Sequence, residues 1–320
     1  MCGVWWSRAL QSLHSMVADR SHLVEHLQQR LLASAGATGW AYYTGKTSSR
    51  IEPTAWALLA LGSAWDTSRG SWPDFAKPHI AFLASLQGPD GLLSDTEPGL
   101  VNFTTAALAA LVLTQFPSQV PTGVLPKLYD GLVGAKGVKI DAFDPKQDNQ
   151  LQGWPWVHDT FSWVEPTAWG LLAMKRAEPS IRSRATAARA QEAEKLLVNR
   201  TCVAGGWNYG NASALGQDLR AYVPTTALGL LAMQDRRREP NVEKSVRFLV
   251  QERLNEASAM TLSLTAICLR VLGLPGEDVE ARLAEVVVQS DARGHLLAMA
   301  MASFALTADR HNLEAFRVRA

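Results

Sequence analysis

The stretch Glu52-Pro53-Thr54-Ala55-Trp56-Ala57-Leu58-Leu59-Ala60-Leu61 is nearly restated at Glu165-Pro166-Thr167-Ala168-Trp169-Gly170-Leu171-Leu172-Ala173-Met174. A further copy reads Pro224-Thr225-Thr226-Ala227-Leu228-Gly229-Leu230-Leu231-Ala232-Met233, and a weaker one opens at Thr104-Thr105-Ala106-Ala107-Leu108. Repetition on this scale means one supersecondary unit stacked several times. Each copy starts an Ala- and Leu-rich stretch with no polar face, which as a helix must be buried all round.

Each apolar stretch follows a segment with one charged face. In the first, residues 21–33, Leu23, Leu27 and Leu31 recur at four-residue steps, with Glu25, Gln29 and Arg30 on the other side. The others span residues 73–86, 125–133, 185–198, 241–254 and 277–289. Inner helices are expected to start near Pro53, Thr104, Pro166, Thr225, Leu262 and Leu296; the fifth keeps Thr265-Ala266 and the sixth only composition. Six one-sided helices alternating with six wholly apolar ones predict an all-α fold of two concentric rings, an α6–α6 toroid. An open solenoid would leave the inner helices of its end repeats exposed. In the ring, Thr54, Thr105, Thr167 and Thr226 are expected at equivalent places at one end. The toroid is assigned to residues 21–320 as a single domain, after an N-terminal helical extension, residues 1–20, with a helix over residues 5–17. No segment shows a strand period.

Composition narrows the function classes. The 320 residues are 47% hydrophobic, and repetition along the whole chain favours one closed array over two unrelated domains. A net charge of +1 gives no general attraction to nucleic acid. Arg236-Arg237-Arg238 reads as a solvated turn. Cys2, Cys202 and Cys268 are too few and scattered for a disulfide framework or a zinc knuckle. No apolar run reaches the roughly 18 residues that would suggest a spanning helix, and Trp5-Trp6 lacks the preceding basic segment of a signal peptide. A cytoplasmic location is the default expectation, with peripheral membrane contact and oligomeric state left open.

Gly-aromatic turns precede the inner helices: Gly39-Trp40-Ala41-Tyr42-Tyr43, Gly91-Leu92-Leu93, Gly153-Trp154-Pro155-Trp156 and Gly206-Trp207-Asn208-Tyr209-Gly210. Glycine suits a left-handed turn after an outer helix, and the ring that follows is read as a staple onto the neighbouring hairpin. These turns, followed by Thr-Ala-x-x-Leu-Leu-Ala-Leu helices, resemble the repeats of the prenyltransferase/squalene oxidase repeat family, which is shared by squalene–hopene cyclases, class II terpene cyclases and protein prenyltransferase β subunits. The likeness covers residues 21–306. It implies a terpenoid cyclase-like α/α toroid whose central cavity, entered near the N-terminal ends of the inner helices, holds an isoprenoid chain.

The family's chemistry carries over only in part. Class II cyclases place Asp-x-Asp-Asp-Thr-Ala at one inner helix start, where the middle Asp protonates the substrate. Superposing Thr-Ala puts Glu165 or Glu52 under that Asp, with Trp163 or Arg50 under the first acid and Pro166 or Pro53 under the last. The other two copies have Phe103 and Pro224 in the middle position. Asp141-Ala142-Phe143-Asp144 has no Thr-Ala after it and reads as loop. Prenyltransferases bind zinc through Asp-x-Cys before an inner helix; here the matching stretch, Gln217-Asp218-Leu219-Arg220-Ala221-Tyr222, has no Cys. No metal and no other cofactor is expected.

The densest constellation is Trp154-Pro155-Trp156-Val157-His158-Asp159-Thr160-Phe161-Ser162-Trp163-Val164-Glu165, with three indoles, an imidazole and two carboxylates leading into a helix. Candidate catalytic residues are Glu165, Glu52 and Asp159. Candidate ligand contacts are Trp56, Trp156, His158, Trp163, Trp169, Tyr209, Asp218 and Tyr222. A Glu before Pro at a helix start can equally cap the helix, where the macrodipole lowers its pKa; burial, or a neighbouring carboxylate such as Asp159 or Asp218, acts the other way. The leading expectation is a terpene cyclase-like protein that binds an isoprenoid or other elongated apolar ligand, with class II cyclisation dependent on a motif that is incomplete here. The alternatives are a noncatalytic lipid-carrier or protein-interaction toroid, and a carbohydrate-processing α/α-toroid enzyme using Asp159, Glu165 and Asp218.

Overall fold

The apolar stretches fold as helices without a wet face, and the charged ones as helices with a single buried stripe. The computed structural model describes residues 20–63, 65, 68, 70–96, 100–141, 146–307 and 312–318. The helix expected over residues 5–17, and most of the stretch 141–144, lie outside these. The outer helices are α1 (Arg20–Ala33), α3 (Trp72–Ser85), α5 (Val124–Gly134), α7 (Arg184–Asn199), α9 (Pro240–Glu252) and α11 (Glu277–Ala292). The inner ones are α2 (Ile51–Gly62), α4 (Phe103–Leu113), α6 (Val164–Arg176), α8 (Val223–Ala232), α10 (Ala259–Leu272) and α12 (Leu296–Thr307). All of α4 is buried, whereas α1 buries only Leu23, Leu27 and Leu31.

Inner helices pack in chain order, α2 on α4, α4 on α6, α6 on α8, α8 on α10 and α10 on α12; α12 then packs on α2. Around them α3 lies on α2, α5 on α4, α7 on α6 and α9 on α8, while α11 covers α10 and α12. Helix α1 lies on both α12 and α2, spanning the join between last and first. There Arg20 donates to Leu306 O at 3.0 and 2.6 Å, and Asp291 accepts from His26 at 2.8 Å and Arg30 at 2.9 Å. Leu296 N also donates to Tyr42 O at 2.9 Å.

The described residues are all-α but for one hairpin, which departs from the strand-free expectation. Ser213–Ala214 pairs with Gln217–Asp218 through Leu215 (φ 50) and Gly216 (φ 77). Strands of two residues are too short to show a period, so the sequence pattern could not announce them.

The repeat is held together by a bond set that occurs three times. Trp40, Trp154 and Trp207 each donate their backbone N–H at 3.0 Å to Oγ1 of Thr54, Thr167 and Thr226, respectively. Each indole N–H reaches the end of the preceding outer helix, at Leu31 O (2.8 Å), Leu132 O (2.8 Å) and Leu197 O (2.7 Å), where carbonyls lack helical partners. The next outer helix then supports the turn: His79 packs on Trp40, Arg189 lies 3.9 Å over Trp154, and Ser245 accepts from Gly206 N at 2.8 Å. Thr105 stands apart, bonding its own turn at Asn102 O, while the backbone N–H of Leu92, which stands where the others have Trp, is taken by Asp90 Oδ1 at 3.0 Å. The glycines serve contact as much as turning: a Cβ on Gly153 would sit 2.1 Å from Thr167 Oγ1, and of the three only Gly206 (φ 75) is left-handed.

Trp56 and Trp169 lie in the aromatic core of the inner helices. They are 1% and 4% exposed and pack edge-on at 6.3 Å. Phe304 of α12 and Phe316 join them, Phe316 stacking on Trp56 at 5.6 Å. The segment bearing Phe316 is pinned by Gln234, which donates to Phe316 O at 2.8 Å, and by Arg176, which donates to Arg317 O at 2.9 Å. No helix among the described residues is long and apolar enough to cross a membrane.

Candidate functional site

The Gly-Trp turns carry a second aromatic two residues on: Tyr42, Trp156 and Tyr209. The backbone carbonyl of each accepts from the first residue of the inner helix before it: Tyr42 O from Leu296 N (2.9 Å), Trp156 O from Phe103 N (3.0 Å), Tyr209 O from Val164 N (2.8 Å). These bonds fix the three aromatics at the N-terminal ends of inner helices, where Glu52 and Glu165 are the second residues of α2 and α6. Neither Glu is the capping residue; Arg50 and Trp163 hold those positions without a side-chain cap bond.

The Tyr42 hydroxyl donates to Glu52 Oε2 at 2.9 Å, and the Trp156 side chain lies close enough to Glu165 to act against the rise in its pKa. Arg50 pairs with Asp95 at 2.9 Å and lies over the Tyr42 ring. Both Glu side chains keep a sliver of solvent contact, yet burial raises both pKa values. The Glu165 carboxyl is pushed up to about 7, by burial first and the Glu52 charge second. Desolvation therefore outweighs the helix macrodipole at these two starts. The carboxylate that acts on Glu165 is Glu52, in place of the Asp159 or Asp218 expected from sequence.

Beyond Glu165 runs a row of half-exposed rings. Phe161 meets Trp163 at 4.4 Å, Trp163 stacks on Trp156 at 4.5 Å, and Tyr209 lies 6.3 Å from Trp156 and 5.4 Å from Tyr222. Burial, followed by Glu165, Tyr222 and Glu256, raises the Tyr209 pKa, so Glu256 belongs to this end as well. Burial raises Glu256 too, against Arg220, which lowers it.

The remaining candidates lie outside this pairing. His158 is exposed, with its ring edge 4.9 Å from Phe103. Asp159 is exposed on a left-handed turn, φ 61. Asp218 sits on the hairpin and pairs with Lys146 at 2.7 Å, its charge already matched. Sequence reasoning passed over Tyr42, Glu256 and Thr104. The signal for Tyr42 was available, since it holds the same place after Gly-Trp as Trp156 and Tyr209. Among the described residues no three His, Cys, Asp or Glu side chains gather in a way that could hold a metal.

The raised carboxyl has a pH consequence. A Glu165 pKa of about 7 in the fold, against 4.5 unfolded, means the native state binds the proton more tightly. Its favourable contribution is complete below pH 4.5 and is lost as pH rises through 7. Glu165→Gln should therefore flatten the stability profile across that window and leave the protein more stable than wild type at pH 8, by on the order of 2–3 kcal/mol. Urea titrations at several pH values measure this; parallel profiles for the two proteins would contradict it.

No protein-family profile and no curated protein matches this sequence, so the resemblance to cyclase repeats rests on the residues quoted for it. Solved structures of bacterial alpha-2-macroglobulins do match. A mutant of Salmonella alpha-2-macroglobulin aligns over 90% of this chain and 17% of its own, at 12% identity and a TM-score of 0.51. Native Escherichia coli alpha-2-macroglobulin, from domain MG7 to the C-terminus, aligns over 90% of this chain and 42% of that one, at 14% identity and a TM-score of 0.49. The trypsin-activated Escherichia coli protein gives 87% and 18% coverage, 12% identity and a TM-score of 0.45. This chain thus spans less than half the length of each. The Salmonella likeness concerns the fold alone.

Proposed function

We propose that this chain is an α/α toroid, terpenoid cyclase-like in architecture, whose ring end at Glu52 and Glu165 binds an elongated apolar ligand of isoprenoid type. The closed order of inner helices supports the architecture. The row from Phe161 to Tyr222 supports the ligand class, because half-exposed ring faces recover roughly 25 cal/mol for each Å² of apolar surface they cover. The observation that carries the reading is Glu165, a carboxyl that burial holds partly uncharged beside those rings. A site that sheds its charge costs an apolar chain little to approach.

The same shift argues for binding without cyclisation. An acid with a pKa of about 7 is a weaker proton donor than an ordinary carboxyl, and protonating an alkene needs a strong one. Farnesol, geranylgeraniol and squalene, titrated while following Trp fluorescence, should give saturable binding, and mass spectrometry should recover them unchanged. Trp156→Ala with Trp163→Ala should weaken binding by about tenfold or more. Absence of saturable binding to all three would overturn the reading; cyclised product would overturn the binding-only part.

A further inference from the structure

Resting on the apolar-ligand reading, a finer inference concerns the end group of that ligand. Helix α4 stands between α2 and α6 in the ring, and its first turn has the register of α6, since Phe103 N and Val164 N make the same bond to a following turn. Counted from the helix start, the second residue of α4 is Thr104, as Glu165 is of α6 and Glu52 of α2, so the Thr-Ala alignment that put Phe103 there is off by one residue at α4. Thr104 is 7% exposed, and its Oγ1 has no hydrogen-bond partner. A buried hydroxyl left unpaired costs about 1–3 kcal/mol unless something else fills it.

Three consecutive inner helices thus each carry a side-chain acceptor at their second position. Each carboxylate offers about four lone-pair sites. Glu52 uses one on Tyr42, and Trp156 is the neighbour that acts on Glu165, so both keep capacity. The surrounding charge is mainly acidic. Asp95 acts on Glu52, and Glu52 on Glu165, while Glu256 lies at Tyr209. The cations here are Arg50, bound to Asp95, and Arg220, beside Glu256. A diphosphate would meet carboxylates, whereas an ammonium brings three N–H donors and no acceptor.

We propose that this end of the ring recognises the protonated primary amine of an apolar ligand, with Glu52, Thr104 and Glu165 accepting its three N–H bonds and Trp156 and Tyr209 flanking it. An aromatic face adds cation–π attraction to the carboxylates. A cation seated there also favours the ionised forms of Glu165 and Glu52, whose pKa values burial raises, so binding at pH 7 should expel protons.

The test compares farnesylamine, farnesol and farnesyl diphosphate by calorimetry at pH 7, in two buffers of different ionisation heat. The expected result is farnesylamine binding at least tenfold tighter than farnesol, diphosphate weakest, and proton release with the amine alone. Glu165→Gln, close to isosteric, should collapse the amine-to-alcohol ratio and lower the release, with circular dichroism reporting that the fold is kept. Thr104→Val, a second variant, should lower the same ratio about threefold or more. Equal affinity for amine and alcohol, or preference for the diphosphate, would overturn the amine inference while leaving the apolar-ligand reading in place. Failure of all three to bind would overturn that reading and this inference with it.

Discussion

Trp154→Ala is expected to lower stability by about 3–5 kcal/mol, the usual cost of emptying a large buried aromatic site. The indole is 0% exposed and does three jobs at once. It fills core against Gly170, where even a Cβ would approach its ring to 2.5 Å. It gives Leu132 O, at the end of α5, a partner at 2.8 Å. It also covers the guanidinium of Arg189, whose pKa burial lowers to about 10 and which still carries its charge at neutral pH. Removal leaves a void, an orphan carbonyl and a buried cation with one face bare. Trp154→Phe keeps most of the burial and loses only the N–H, so it should cost about 1 kcal/mol more than the ring-size change alone. Thermal unfolding should show a midpoint lowered by on the order of 10 °C for the alanine variant. A fall of a degree or two would mean that the Gly-Trp turn is not a structural staple.

Phe316→Ala is the second large expected effect, also about 3–5 kcal/mol. This ring, 1% exposed, lies against Trp56, Trp169 and Phe304 in the middle of the inner helices. An apolar void of that kind stays dry and accepts small aromatic guests. Benzene or indole should therefore raise the variant's melting temperature and leave wild type unmoved, because a ligand stabilises only the state that binds it. Acrylamide quenching of Trp fluorescence should increase in the variant as Trp56 loses its cover. An unchanged melting temperature with added benzene would show that the surroundings collapse into the space.

The inner helices were legible because a helix without a polar face has one physical solution, burial all round. The Thr54, Thr167 and Thr226 matches follow from identical local chemistry, a Gly-Trp turn facing a threonine. Thr105 broke that pattern because the backbone N–H of Leu92 bonds Asp90 and Thr105 turns to Asn102, which the Thr-Ala dipeptide alone cannot reveal. Glu52 and Glu165 were visible as carboxylates at helix starts. Their raised pKa values were not, because desolvation depends on what the whole fold packs around each carboxyl. The surroundings of Asp159 and Asp218 were hidden for a related reason. Spacing places a residue near a helix, whereas the left-handed turn at Asp159 and the Lys146 partner of Asp218 decide where the charge goes. Phe316 lay beyond local reasoning, since its partners Trp56 and Trp169 are far away in sequence.

The join made by α1 has a consequence for the order in which this molecule is assembled. Arg20 can reach Leu306, and His26 can reach Asp291, only after α11 and α12 have been synthesised. Until then α2 lacks α12 on one side, and its fully apolar surface faces water. Contacts between such distant residues make folding slow, and partly built arrays with bare hydrophobic surface are prone to aggregate. Nascent chains stalled short of α12 should therefore bind chaperones and resist folding, while release of the last helix should let the ring shut in one late cooperative step.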